Sequence, residues 1–320
     1  MKLQARAAAL RDLWRSRPSI YSRPLWTLML GLDYLPWPWG EDILARLFAV
    51  VALVRTSRRR AARAWASKQP GRRGWRLALG VSAFRGRWVA RSALLGMRRP
   101  DDFRRRVVVN GEEHLAATGP GGTILLGFHL GPPNVDVALR SRGHRLVWLG
   151  SGRTSAAWSR APWRPFRDPE DNLCPADSRR FWPGYLYRAR RILLDGGTIF
   201  VMADSWAGRE FFSIALPGGS TMIRAGWLSL WRQTGARILP VLTHLDGRVQ
   251  VITIHPPLPS LKPDDDGGLR GWQDILVSLV EHHVGRFPEQ CPVIVFPATV
   301  RSSSRPAAWA ALSAESSSPR

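Results

Sequence analysis

Residues 123–139 read TILLGFHLGPPNVDVAL, and their interpretation decides the fold. The first half is a short apolar run following Gly121-Gly122, with the length and flanks of a buried strand. After Gly131-Pro132-Pro133 the pattern turns helical and continues through VDVALRSRG. Strand, tight turn, helix is the repeating unit of an α/β sheet protein.

The same grammar extends in both directions. VVVNGEEHL (107–115) reads as a strand, a turn at Asn110-Gly111 and a helix start, and HRLVWLG (144–150) as a strand. YLYRARRILLDGG (185–197) is a helix closed by Gly196-Gly197; TIFVMAD (198–204) is a strand ending in Asp204. MIRAGWLSLWRQTGA (222–236) reads as a helix, RILPVLTHL and RVQVITIHPPL as strands joined at Asp246-Gly247, and WQDILVSLVEHHVGRF (272–287) as the last helix. The alternation predicts an α/β sandwich with a mostly parallel central sheet flanked by helices over residues 105–300. The Ser/Ala/Pro-rich tail 301–320 is expected to be disordered.

Residues 1–104 differ in character. PLWTLMLGLDYLPWPWG (24–40) is followed by ILARLFAVVALV (43–54), and then by the strongly basic RTSRRRAARAWASKQPGRRGWR (55–76). A spanning helix needs roughly 20 apolar residues. Asp33, Pro36, Pro38, Glu41 and Asp42 interrupt this run. Two readings follow: buried core helices, or an interfacial helical region with Trp26, Trp37 and Trp39 at headgroup depth. A cationic stretch beside an apolar one favours the second, an N-terminal membrane-associating helical region.

Net charge is +23 over 320 residues, nearly all of it arginine, and there are sixteen tryptophans. Arginine forks suit phosphate and carboxylate groups, and tryptophan suits a membrane interface. An anionic membrane surface is therefore the expected partner. No zinc-finger spacing, RNP-type motif or basic zipper supports nucleic acid, and none is expected. Cys174 and Cys291 match no metal spacing, which fits a reducing compartment. The first twenty residues lack the apolar core of a signal peptide, so a peripheral or monotopic protein on the cytoplasmic face of the inner membrane is expected.

In open sheets, reactive groups gather at the carboxyl ends of strands. His129 after TILLGF and Asp204 after TIFVMA both hold such positions. An arginine-bearing helix (Arg188, Arg190, Arg191) and the glycine-rich LPGGSTMIR loop complete a constellation, although a lone histidine after a strand is more often structural. His244 and His255 read as core or edge residues, and His282 and His283 as surface or packing residues.

VVVNGEEHLAATGPGGTILLGFHLG, LLDGGTIFVMADSWAGREFF, GGSTMIRAGWLSLWRQTGARILPV and RFPEQC, in that order over roughly residues 105–292, resemble the lysophospholipid acyltransferase superfamily. The branch they look most like is that of the lipid A biosynthesis (lauroyl/myristoyl) acyltransferases. The resemblance implies a His-x4-Asp/Glu pair. Its histidine takes the proton of an acceptor hydroxyl, and its carboxylate orients the ring. The histidine maps to His129. The fifth residue on is Asn134, where the family has an acid.

Asn134 can fix the ring's tautomer but supplies no negative charge for the imidazolium. Asp136 is the nearest carboxylate, yet in a regular helix it sits about 200° around the axis from Asn134. Alternatively, Pro132-Pro133 delay the helix, Asn134 is its N-cap, and Asp136 complements the dipole in the first turn. Catalytic candidates are thus His129, Asn134 and Asp136. Arg188 of the arginine-bearing helix is a candidate substrate contact; the resemblance further implies substrate contacts from Asp204 and Arg209, and an anion-contacting segment at Gly218, Gly219, Ser220, Thr221 and Arg224.

The expected activity is acyl transfer from an acyl carrier protein or acyl-CoA thioester to a lipid or glycolipid, with no metal and no cofactor. The alternative is a lipid-binding member of the same fold that has lost turnover.

Overall fold

The computed structural model of the protein describes residues 35, 37–54, 56–67, 74–94, 105–116, 121–132, 134–149, 172–173, 182–204, 210–216, 219–262 and 265–292. Helices α1 (Trp37–Val54), α2 (Thr56–Ala66) and α3 (Gly74–Leu94) come first. The α/β part follows as β1 (Val107–Asn110), α4 (Glu113–Ala116), β2 (Thr123–Gly127), α5 (Val135–Ser141), β3 (Val147–Leu149), β4 (Asn172–Leu173), α6 (Trp182–Leu194) and β5 (Thr198–Met202). It continues through β6 (Glu210–Leu216), β7 (Gly219–Arg224), α7 (Gly226–Thr234), β8 (Arg237–Asp246), β9 (Val249–Ile254), α8 (Asp266–Arg286) and a 3-10 turn at Pro288–Gln290.

The main sheet has the order β1-β9-β8-β2-β5-β3-β4. Every neighbouring pair is parallel except β8 with β9, which the Asp246-Gly247 turn joins as a hairpin. β2 is central, and all five of its residues are buried. Alternation along the strands feeds two faces. Ile124, Leu126, Ile199, Val201 and Ile238 pack with Ala189, Leu193, Trp227 and Leu276, so α6, α7 and α8 cover that side. Leu125, Phe200, Leu239 and Ile252 pack with Val135, Ala138 and Leu139 of α5 on the other. Each fully buried side chain such as Ile124 or Leu125 stabilises the sheet by about 1.5–3 kcal/mol, which explains why β2 reads as a continuous apolar run.

The N-terminal helices share this core. Ala62, Trp65, Leu77 and Val81 belong to the same buried cluster as Ile124 and Leu126. α1 lies against α3 through an ion pair closed to solvent, Arg91 Nε to Glu41 at 2.9 Å. Burial holds the Glu41 carboxyl above its ordinary range even with Arg91 beside it. Arg91 also donates to the Arg248 carbonyl, and Arg248 reaches Asp42 at 3.0 Å. The start of α1 is thereby fastened to the turn after β8, on the carboxyl side of the sheet. The other side of α1 exposes Trp39, Ile43, Leu47, Val50 and Val51, a stripe at helical spacing. Among the described residues no helix is long and apolar enough to cross a membrane.

The short strand β4 and the β6–β7 hairpin were not expected from the sequence. Met222–Arg224 end a strand, and the helix begins only at Gly226. β7 pairs antiparallel with β6, Ile214 opposite Thr221 and Phe212 opposite Ile223. Thr221 and Ile223 are buried while Ser220 is exposed, a period-two pattern that favours a hairpin over a helix. The tail 301–320, Trp26 and Cys174 lie outside the described residues.

Candidate functional site

β2 and β5 are neighbours, and Gly127 pairs with Met202 at their last shared position. His129 and Asp204 therefore each stand two residues past the end of the ladder. The Ala203 N–H still donates to the Gly127 carbonyl at 2.8 Å, carrying the pairing one step further. Beyond it the side chains take over. The Asp204 carboxylate accepts the His129 backbone N–H at 2.9 and 3.1 Å, and its Oδ1 lies 2.8 Å from the ring Nδ1. The Asp204 side chain is 3% exposed and that of His129 31% exposed. One buried carboxylate thus holds both backbone and ring of a partly exposed histidine.

The acceptor assigns the tautomer. An ionised carboxylate only accepts, so Nδ1 carries the proton and the neutral ring's lone pair lies on Nε2. Burial pushes the His129 pKa down, but the Asp204 charge and hydrogen bond outweigh it, so the net shift is upward. Such a ring can take a proton at Nε2 and be stabilised as the imidazolium, the arrangement a general base needs.

The loop after His129 is tied down from two other elements. Gly131 has φ +78°, and a β-carbon there would fall 1.7 Å from the Thr243 carbonyl oxygen, so only glycine fits. The Thr243 hydroxyl donates to the Pro132 carbonyl at 2.6 Å, with the Leu130 carbonyl at 3.3 Å. The Gly131 N–H donates to the Gln290 carbonyl at 2.9 Å. The Gln290 side chain in turn brackets Leu245, accepting its N–H at 2.7 Å and donating to its carbonyl at 2.9 Å. Thr243 and Gln290 were not among the expected site residues. Gln290 lies in the RFPEQC block and could have been suspected, whereas the contribution of Thr243 depends on the register of β8 against β2.

The remaining candidates are placed as follows. Asn134 is the N-cap of α5 with φ 81°, and its side chain makes no cap bond and none to the imidazole. Asparagine tolerates this left-handed backbone better than most residues. Asp136 sits in the first turn of α5, 2% exposed, and likewise makes no hydrogen bond to His129. Asp204, expected at a substrate pocket, is the residue that meets the ring. Arg224 ends β7, where its N–H donates to the Ala203 carbonyl at 2.8 Å, so the hairpin docks on the Asp204 turn. Gly219, Ser220 and Thr221 lie at the other end of β7, Ser220 exposed and Thr221 buried. Arg188 is exposed on α6 and bonds neither His129 nor Asp204. Arg209 and Gly218 lie outside the described residues. Among the described residues no three His, Cys, Asp or Glu side chains are placed to hold a metal ion.

No family model matches the sequence, and no curated protein matches it. Among solved structures, the chain is similar to the 1-acyl-sn-glycerophosphate (LPA) acyltransferase of Thermotoga maritima. The identity is 15% and the TM-score 0.38, over 76% of this chain and 96% of that one. At that identity and score the likeness speaks to neither activity nor substrate.

Proposed function

We propose that the protein is a membrane-associated acyltransferase. It moves a fatty acyl group from an acyl carrier protein or acyl-CoA thioester to a hydroxyl or amine of a lipid or glycolipid, with His129 as general base. The observation that carries this reading is the partly exposed imidazole at the carboxyl edge of a parallel sheet, its Nδ1 engaged by a buried carboxylate. The acceptor oxygen attacks the thioester carbonyl carbon while its proton passes to Nε2. The C–O bond forms, the C–S bond breaks, and the imidazolium returns the proton to the departing thiolate.

The surface supports a lipid substrate. The stripe Trp39, Ile43, Leu47, Val50 and Val51 belongs to a helix whose start is fastened at the carboxyl side of the sheet. Arg46, Arg60, Arg63 and Arg76 are exposed on α1, α2 and α3. An apolar face with arginines around it suits an anionic leaflet and keeps the acceptor near His129. The resemblance to the lipid A branch favours a glycolipid acceptor at the cytoplasmic face of the inner membrane. The block GGSTMIR and Arg188 remain the proposed headgroup contacts.

The test is acyl transfer from radiolabelled acyl carrier protein and acyl-CoA in the presence of a lipid extract, comparing wild type with His129→Ala. Labelled lipid from the wild type and a loss of at least 10² in the variant are expected. No transfer by the wild type to any acceptor sinks the acyltransferase reading, and full activity in His129→Ala sinks the mechanism alone.

A further inference from the structure

We propose that Asp204 is the positioning carboxylate of this site, supplied from the end of β5 in place of the acid that the His-x4-Asp/Glu pattern puts on the helix after the histidine. Its consequence for rate rests on the acyl-transfer reading; its consequences for the ring's tautomer and charge do not.

Three observations carry it. First, the strand order makes the contact natural. Parallel neighbours lie about 4.8 Å apart, so side chains two residues beyond a shared register position meet across the sheet edge. His129 and Asp204 stand two past Gly127 and Met202. Second, Asp204 is itself held. Its preceding residue Ala203 donates to Gly127 of β2 and accepts from Arg224 of β7, so the carboxylate stands on backbone fixed from both sides. It then spends one side chain on two His129 donors, the backbone N–H and Nδ1. That double grip sets the ring's position as well as its tautomer. Third, the residues that sequence spacing offered for this task are engaged elsewhere. Asn134 spends its conformation on the left-handed entry to α5, and Asp136 is buried in the first turn of that helix.

Chemically, the difference is a charge. A neutral amide at Asn134 could orient the ring but would leave a forming imidazolium without its counter-ion. Asp204 provides orientation and charge together, so the asparagine at 134 costs the site nothing it needs. The chain then reads as a competent catalyst whose carboxylate has moved to another strand, and the lipid-binding relic inferred from Asn134 loses its motive. No co-reactant is required beyond those of the acyl transfer, because Asp204 exchanges no proton in the step.

The experiment uses nuclear magnetic resonance on the full-length protein, with His129 signals assigned by their loss in His129→Gln. In the wild type, nitrogen-15 shifts should report the Nδ1–H tautomer and the ring should titrate above the ordinary histidine value. Asp204→Asn should bring that titration down, while Asn134→Gly, which keeps the left-handed backbone at φ 81°, leaves it at the wild-type position. In the thioester assay Asp204→Asn should lose on the order of 10²–10⁴ in kcat with little change in KM, and Asn134→Gly should stay close to wild type. An Nε2–H tautomer in the wild type overturns the proposal without any variant, which covers an Asp204→Asn protein that fails to fold. A folded Asp204→Asn with unchanged His129 titration overturns it too, as does an Asn134→Gly that shifts as far. A wild type that turns over no thioester but passes the spectroscopic arm leaves Asp204 in its position and removes the acyltransferase reading instead.

Discussion

His129 and Asp204 occupy equivalent positions, two residues beyond Gly127 and Met202, on strands that are neighbours in space although 75 residues separate them in sequence. The pairing holds the His129 pKa above its ordinary value, with the Asp204 charge and hydrogen bond outweighing the opposing effect of burial. A base must be neutral to act, so kcat/KM should fall on the acid side with a midpoint above about 6.5. The linkage has the opposite sense for stability. A raised histidine pKa stabilises fully below the unfolded value, and that contribution is lost as pH rises through the folded value. Urea midpoints of wild type and His129→Ala should therefore differ more at pH 5.5 than at pH 9.

Gly131 and Thr243 give the second prediction. At φ +78°, with the Thr243 carbonyl where a β-carbon would stand, Gly131→Ala cannot keep this turn. The variant should lose at least about 1–3 kcal/mol through backbone strain alone. Its activity should fall further than its stability, because His129 lies two residues away. Thr243→Val removes only the hydroxyl's bonds to Leu130 and Pro132. Its cost should be about 1–3 kcal/mol, the penalty for buried carbonyls left without that donor. Denaturant midpoints and thioester turnover on the same samples separate the two effects.

Gln290 acts at the end of β8 as a surrogate strand, its amide bonding both the N–H and the carbonyl of Leu245. Gln290→Ala strands both groups in a buried setting and should cost about 2–4 kcal/mol. Gln290→Glu keeps the acceptor and loses the donor, so its loss should be smaller at low pH, where the acid is protonated, than at pH 8. The Gly131 N–H bond uses the backbone carbonyl of Gln290, and either variant can retain it.

These residues also show what the sequence made legible. Strands β1, β2, β3, β5, β8 and β9 and helices α4 to α8 followed from apolar periodicity and turn residues, because those signals are local. His129 and Asp204 were visible as polar residues at strand ends. Their contact was not, because it depends on β5 inserting between β2 and β3 and on a register no local pattern encodes. Spacing along the chain instead pointed to Asn134 and Asp136, which are near His129 in sequence but belong to the start of α5. The β6–β7 hairpin was missed for another reason. The sequence Pro217-Gly218-Gly219 carries the glycines that resemble an anion-binding segment, and that reading hid the alternation in EFFSIAL and STMIR.

His283 supplies an acid-side prediction. It is 5% exposed on α8, with its ring centroid 6.3 Å from that of His244 and 5.3 Å from that of Phe287, which stacks on His244 at 4.1 Å. Burial, then the neighbouring His244, His255 and His282, push its pKa down to about 3. A depressed histidine pKa leaves stability intact above the unfolded value and erodes it as pH falls below that value. Between pH 6.5 and 5 the loss should be roughly 2 kcal/mol from this residue alone. His283→Leu should flatten that slope in urea titrations at pH 5, 6 and 7, and His282→Leu, on the exposed side, should not.

The stripe on α1 decides whether the protein meets a bilayer at the carboxyl edge of its sheet. Val50 is 57% exposed and Leu47 41%, while Leu44, turned toward the core, is fully buried. Glutamate at 47 and 50 should therefore leave the folded core unaffected, with changes in denaturant midpoint near those of ordinary surface substitutions, about 0.5 kcal/mol. If the stripe enters a leaflet, each substitution forfeits apolar burial worth about 1–2 kcal/mol and adds repulsion from anionic headgroups. Leu47→Glu with Val50→Glu should then weaken co-sedimentation with vesicles of mixed anionic and zwitterionic lipid at least tenfold. Wild-type binding should also fall with added salt, because the exposed arginines contribute through screened charge. Binding to purely zwitterionic vesicles should be weaker but retain its sensitivity to the double substitution. Unchanged sedimentation of the double variant on anionic vesicles assigns the whole attraction to arginine and removes α1 from the interface.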